Sequence, residues 1–174
     1  MEGIDTVAQL MAMAAITAPK TRGENFVQVK LLQSREALEQ LGQAMIAYGQ
    51  KFHKSNFDRD GQNVLNSEAV ILIGIKDAAP ATLDCAACGY ETCSELSAQE
   101  PLEGEFRGPT CAYRILDMGI ALGSAVKMAG ILNIDNRIMY RAGVVARQLK
   151  LVDWDFVMGI PLSVTGKSIY FDRR

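Results

Sequence analysis

One histidine, His53, and one tryptophan are all that this chain of 174 residues carries of either type. A single imidazole cannot build a histidine-rich metal centre, and no HExxH zinc motif is present. No Walker-type phosphate loop exists either, because the glycines and lysine of Gly159–Lys167 have the wrong spacing. Charge of one sign is missing too. Eighteen Lys and Arg stand against 20 Asp and Glu, a net charge of −2. Without a strong positive field, neither nucleic acid nor an anionic membrane surface has an electrostatic handle. The most apolar stretch, Ile115 to Ile134, holds Asp117 and Lys127. Both are costly at a bilayer centre, so the stretch reads as a buried helix rather than a membrane span. The start, Met1-Glu2-Gly3-Ile4-Asp5, places two acids where a signal peptide would carry Lys or Arg. The expected location is the cytoplasm, with no nucleic-acid or membrane partner.

What is present is ordinary globular composition, 49% hydrophobic and 22% charged. The length suits one domain over 1–174. Helical spacing of Val7, Leu10, Met11, Ala14, Ala15 and Ala18 predicts a helix that ends at Pro19. Phe26–Leu32 alternates as a strand, and Ser34 caps an amphipathic helix running to about Lys54. His53 falls on its last turn, where a structural role is expected. Ser55–Asn66 reads as a polar loop with a turn at Asp60-Gly61. Ala69–Ile75 is an unbroken apolar run rich in β-branched residues, hence a central strand buried on both faces. A short helix follows Cys93, and 104–110 reads as a loop. Ala112–Gly130 is apolar almost all round, which places it inside a fold or at a subunit interface. Asp135-Asn136 opens a last helix to about Leu149, and Asp155–Ile160 is a third strand stopped by Pro161. Asp58, Asp60, Glu91 and Glu95 read as solvated carboxylates. The sum is an α+β fold, a small sheet packed by helices, carrying a cysteine-bearing segment over 80–115.

That segment is the informative part. All four cysteines, Cys85, Cys88, Cys93 and Cys111, fall in it with the spacing C-x2-C-x4-C-x17-C. Soft anionic thiolates suit iron–sulfur clusters and zinc. Structural zinc commonly takes two separated pairs. Three cysteines on one tight loop, with a fourth arriving alone, suit a [4Fe-4S] cubane. Zinc, disulfides or free thiols remain as the alternatives. Gly89 lets the loop turn, Gly108-Pro109 precedes the fourth cysteine, and Tyr90 stands where it could screen the site.

Residues Cys85-Ala86-Ala87-Cys88-Gly89-Tyr90-Glu91-Thr92-Cys93 and the following Ser94-Glu95-Leu96 resemble the small four-cysteine [4Fe-4S] domain of corrinoid iron–sulfur proteins. By that resemblance the four cysteines are cluster ligands. The whole chain, with its ending Gly159-Ile160-Pro161-Leu162-Ser163-Val164-Thr165-Gly166-Lys167, resembles prokaryotic ferredoxin domain-containing proteins, which implies electron transfer. Ala18–Phe26 and Asp117–Ala121 are similar to two segments of nitroreductase-like flavoproteins. That likeness implies a nitroreductase-like scaffold, an intertwined homodimer and an FMN cofactor. The paired arginines with which that family holds the flavin phosphate have no counterpart before Val7. Lys20, Arg22 and Asn25, with Lys167 or Arg173 from the C-terminus, are the candidates to replace them. Lys20 and Arg22 read equally as a solvated loop. The expected partner is a redox protein or a small-molecule acceptor, and the expected activity that of an oxidoreductase. The alternative is a zinc-stabilised interaction protein without redox chemistry.

Overall fold

The computed structural model describes residues 2–171. Four strands form one antiparallel sheet, β1 (Val27–Leu32), β2 (Ala69–Ile75), β5 (Asp135–Asn136) and β6 (Phe156–Ser163), in the order β1-β2-β6-β5. A two-stranded hairpin, β3 (Leu102–Glu103) with β4 (Arg107–Gly108), forms a separate small sheet. Helices α1 (Glu2–Thr17) and α5 (Ala112–Ile131) cover one face of the sheet. On the other face lie α2 (Arg35–Phe52), α3 (Phe57–Leu65) and α6 (Tyr140–Gln148). A short α4 (Cys93–Ser97) sits in the cysteine segment.

β2 has all seven residues buried, as a central strand must. Its alternation divides the core. Ala69, Ile71, Ile73 and Ile75 pack with Ile4, Ala8, Met11 and Ala15 of α1 and with Ala121 and Ala125 of α5. Val70 and Leu72 face the opposite way, onto Leu38, Leu41 and Met45 of α2 and Val144 and Val145 of α6. α2 begins where its cap dictates, because the Ser34 side chain accepts a bond from the Ala37 N–H at 3.2 Å. It ends at His53, which adopts a left-handed φ of 52° and is exposed.

Five expectations need correcting. Residues 57–65 form a helix, not a loop. Its polar composition hides Phe57 and Val64, seven residues apart and both buried. Asp60 is not solvated but 1% exposed, held by Arg59 at 2.7 Å and Arg141 at 2.8 Å. β6 runs through Pro161 instead of stopping there. Gly159 exchanges both backbone bonds with Met139, so Pro161, two residues on, turns its nitrogen to the same side. That side lies in the gap between β5 and the Met139 bridge, and no ladder bond to β2 is lost. Asp135-Asn136 is an edge strand against Leu162 and Ser163 rather than a helix start. Residues 102–108 form the small hairpin where a loop was expected.

α5 fits the sequence reading on its inner face only. It buries Met118, Ala121, Leu122, Ala125 and Ala129, yet Leu116, Ile120 and Ile131 are exposed. A methyl group added at Gly119 or Gly123 would meet nothing within 4 Å. Among the described residues, no helix is long and apolar enough to cross a membrane.

Candidate functional site

β2 delivers the chain at Ile75 into an irregular strap that carries the first three cysteines. Four non-glycine residues in ten adopt left-handed φ angles, Asp77 (48°), Thr82 (52°), Asp84 (44°) and Ala86 (57°). Asp tolerates that region, but Thr and Ala pay roughly 1–2 kcal/mol each for it. Such a path persists only if tied down, and it is. The Asp77 N–H donates to Asp155 Oδ2 at 2.6 Å. Arg22 Nη1 donates to Thr82 Oγ1 at 2.6 Å. Ala79 O accepts from Arg114 Nε at 2.8 Å. Ala81 is buried as an apolar anchor.

The cysteine loop proper is built from local bonds. Gly89, at φ 90°, closes a turn by donating its N–H to Ala86 O at 2.9 Å. No other residue takes that φ readily. The Asp84 carboxylate accepts from the Cys93 N–H at 2.7 Å. Thr92 caps α4 by accepting from the Glu95 N–H at 3.2 Å, and Glu95 accepts in return from the Glu91 N–H at 3.1 Å. Cys93 is therefore the first residue of α4. The chain then passes the hairpin and a cis Gly108-Pro109 bond to Cys111, which caps α5.

All four thiols are free. They line one small pocket together with Ala81, Leu83, Tyr90 and Ala112. Its floor is a small apolar cluster, separate from the two main cores, in which Ala81, Leu96 and Cys111 are buried and Cys88, Tyr90 and Tyr113 pack against them. Cys111 is buried, Cys88 and Cys93 half-buried, and Cys85 exposed. Among the described residues, no group of three His, Cys, Asp or Glu side chains stands ready to hold a metal ion. What the fold provides is a shared pocket rather than finished coordination geometry.

The residues suggested for a flavin phosphate do not converge within one chain. Lys20 Nζ donates to the carbonyls of Ala15 at 3.1 Å and Ile16 at 3.0 Å and also to that of Ala18, closing the C-terminus of α1. Burial lowers its pKa, against the attraction of Asp117. Asn25 Oδ1 accepts from the Val27 N–H at 3.1 Å. Lys20, Arg22 and Asn25 thus lie by the end of the sheet where Val27, Ile75 and Phe156 are aligned. Lys167 is exposed beyond Ser163, at the other end, beside Asn133 and Asp135. Seven residues of β6 separate the two ends, roughly 23 Å at about 3.3 Å per residue. Arg173 lies outside the described residues.

Two clusters escaped the sequence reading. Arg114, 1% exposed, joins buried Asp117 (3.4 Å) and half-exposed Glu24 in one network. A cation in an otherwise apolar helix, three residues before an acid, was the available signal. The second centres on Glu105 in the hairpin, which accepts from Tyr48 at 3.0 Å and also from Tyr140 and Lys54. Those bonds outweigh the opposing effect of burial and hold its carboxyl below the usual range. Burial, then the bond to Glu105, pushes each tyrosine up to about 12.

Residues 107–173 match a family described as "uncharacterized protein containing a ferredoxin domain". The chain is 44% identical over 172 residues to an uncharacterized protein of Archaeoglobus fulgidus, covering 99% of this chain and 92% of that one. Among solved structures, a nitroreductase with bound FMN from Desulfitobacterium hafniense superposes with a TM-score of 0.62 at 16% identity. It covers 94% of this chain and 79% of its own. A nitroreductase family protein from Clostridium novyi gives 0.58 at 16%, covering 94% and 77%. A BluB-like flavoprotein from Clostridium difficile gives 0.55 at 13%, covering 98% and 88%. At these identities the likeness is one of fold, and the fold is that of the nitroreductases.

Proposed function

Since the chain belongs to the family of uncharacterized proteins containing a ferredoxin domain, we propose that it is an iron–sulfur redox protein in which Cys85, Cys88, Cys93 and Cys111 hold a [4Fe-4S] cluster. The observation that carries this reading is that four free thiols, from the strap, α4 and the cap of α5, line one pocket. Four soft anions on an apolar floor are the donor set such a cluster takes. When bound, it takes up and releases one electron at a time. The chain's own task is to hold and shield. Buried Cys111, with Leu96 and Tyr90 beside it, keeps water from the inner side. Exposed Cys85 leaves the outer side open to a redox protein or a small acceptor. Free thiols suit a reducing compartment such as the cytoplasm.

Anaerobic purification with metal analysis tests the assignment. The expected product is brown, carries about four irons per chain on the cubane reading, and bleaches with dithionite. A colourless protein with stoichiometric zinc would establish the structural-knuckle reading instead.

A flavin is the second element of the proposal, favoured by the nitroreductase fold. One chain does not assemble the phosphate-binding set. A second copy would have to bring its Lys167 towards Lys20, Arg22 and Asn25. The α1–α5 face suits such a partner. It exposes Met13, Ile16, Ile120 and Ile131 around the flat backbone at Gly119 and Gly123. A surface of this kind is stabilised by being covered. The protein is therefore expected to sediment as a homodimer at micromolar concentration, and Ile120→Glu to sediment as a monomer with its helical content intact. A monomeric wild type sinks this part.

A further inference from the structure

We propose that the Arg114–Asp117–Glu24 network, buried at Arg114 and Asp117, positions Cys111 against the strap and sets the charge felt by the four-cysteine site. This rests on the iron–sulfur reading above. Arg114 is the third residue of α5, and its N–H donates to the carbonyl of the cap, Cys111, at 3.0 Å. Its guanidinium crosses to the strap. Nε donates to Ala79 O at 2.8 Å, two residues from Ala81, which lines the pocket with all four cysteines. One residue thus joins both walls of the pocket, by its backbone amide to Cys111 and by its guanidinium to the strap.

The same guanidinium reaches a third segment. Nη1 donates to Thr21 O at 3.1 Å and to Asp117 Oδ2 at 3.4 Å, Nη2 donates to the Glu24 carboxylate, and the Phe26 ring lies 4.6 Å away. Asp117 Oδ1 in turn accepts from the Thr21 N–H at 2.7 Å and its hydroxyl at 2.8 Å. Stability does not account for this arrangement. Taking these charges out of water is expensive, and apolar residues of similar volume in place of a buried ion pair are often neutral or stabilising. A positional and electrostatic task accounts for it better, because Arg114 follows Cys111 by three residues and bonds the strap two residues from the pocket-lining Ala81.

The signs follow from electrostatics. Reduction adds negative charge, so a nearby cation favours the reduced form and a nearby carboxylate disfavours it. Arg114→Gln should lower the reduction potential. Asp117→Asn and Glu24→Gln should each raise it, the second by less because Glu24 is half-exposed. Arg114→Lys keeps the charge and should stay near the wild type. A purely structural role would not give shifts of opposite sign from two neighbours in one network.

The experiment is a mediated spectroelectrochemical titration of the full chain, purified anaerobically, for the wild type and the four variants. Potentials that do not move, or that all move in one direction while the cluster stays bound, overturn the inference and leave the iron–sulfur reading standing. A wild type that carries no cluster overturns both. If Arg114→Gln fails to fold, Glu24→Gln at the exposed rim decides the matter, and an unshifted potential there counts as refutation.

Discussion

The Cys85→Ser protein folds and melts as the wild-type apoprotein does, but it holds almost no iron. Cys85 is the cleanest of the four positions for this test. Its side chain is exposed and belongs to none of the three apolar clusters. An isosteric change there costs no packing, and stability should stay within about 0.5 kcal/mol. A serine hydroxyl is neither soft nor ionised at neutral pH, so it does not replace a thiolate. Even outer-shell changes cost roughly 10–100-fold in metal affinity, and loss of a direct ligand should cost more. Cys111→Ser is less informative, because Cys111 is 5% exposed. A buried hydroxyl without a partner costs about 1–3 kcal/mol by itself, so lost iron could follow from lost structure. Iron analysis and the visible spectrum check the prediction, with the thermal melt as control. Wild-type iron content in Cys85→Ser would remove Cys85 from the ligand set.

How much of this was legible in the sequence depends on the range of the forces involved. β2 was, because a strand buried on both faces must be apolar at every position, and Ala69–Ile75 is. So was the start of α2, since a serine cap acts within three residues. The convergence of the cysteines on one pocket was legible in outline, because three of them share a short loop. What escaped depends on partners far along the chain. α3 looks polar until Asp60 is seen to pair with Arg141, 81 residues away. Arg114 looks out of place in an apolar helix until Ala79 and Thr21, 35 and 93 residues distant, accept its bonds. Lys20, Arg22 and Asn25 stand apart from Lys167 within one chain for a related reason, since sheet register, which the sequence does not display, puts them at opposite ends.

Gly143→Ala is expected to be the most damaging small change in the molecule. Alanine is the better helix former, by about 1 kcal/mol in an open helix, and Gly143 lies inside α6. Space decides otherwise. A Cβ at 143 would sit 1.8 Å from the carbonyl oxygen of Val157 and 3.1 Å from Met158 Cα, both backbone atoms of β6. Backbone in the middle of a sheet cannot swing aside as a side-chain tip does. α6 would have to lift off β6, opening the contacts that bury Ala142, Val145 and Ala146. Overpacking typically costs 1–3 kcal/mol, and a backbone clash belongs at or above the top of that range. About 3 kcal/mol corresponds to roughly 6–12 °C in Tm at this chain length. The damage reaches the site as well, because α6 carries Tyr140 and Arg147, which hold the hairpin before Cys111 through Glu105. Gly130→Ala on α5, where a new methyl meets nothing within 4 Å, should instead gain up to about 1 kcal/mol. The same substitution therefore has opposite signs at two helical glycines. Calorimetry on both variants is the check, and a Gly143→Ala protein melting at or above the wild type would mean that α6 and β6 do not approach this closely.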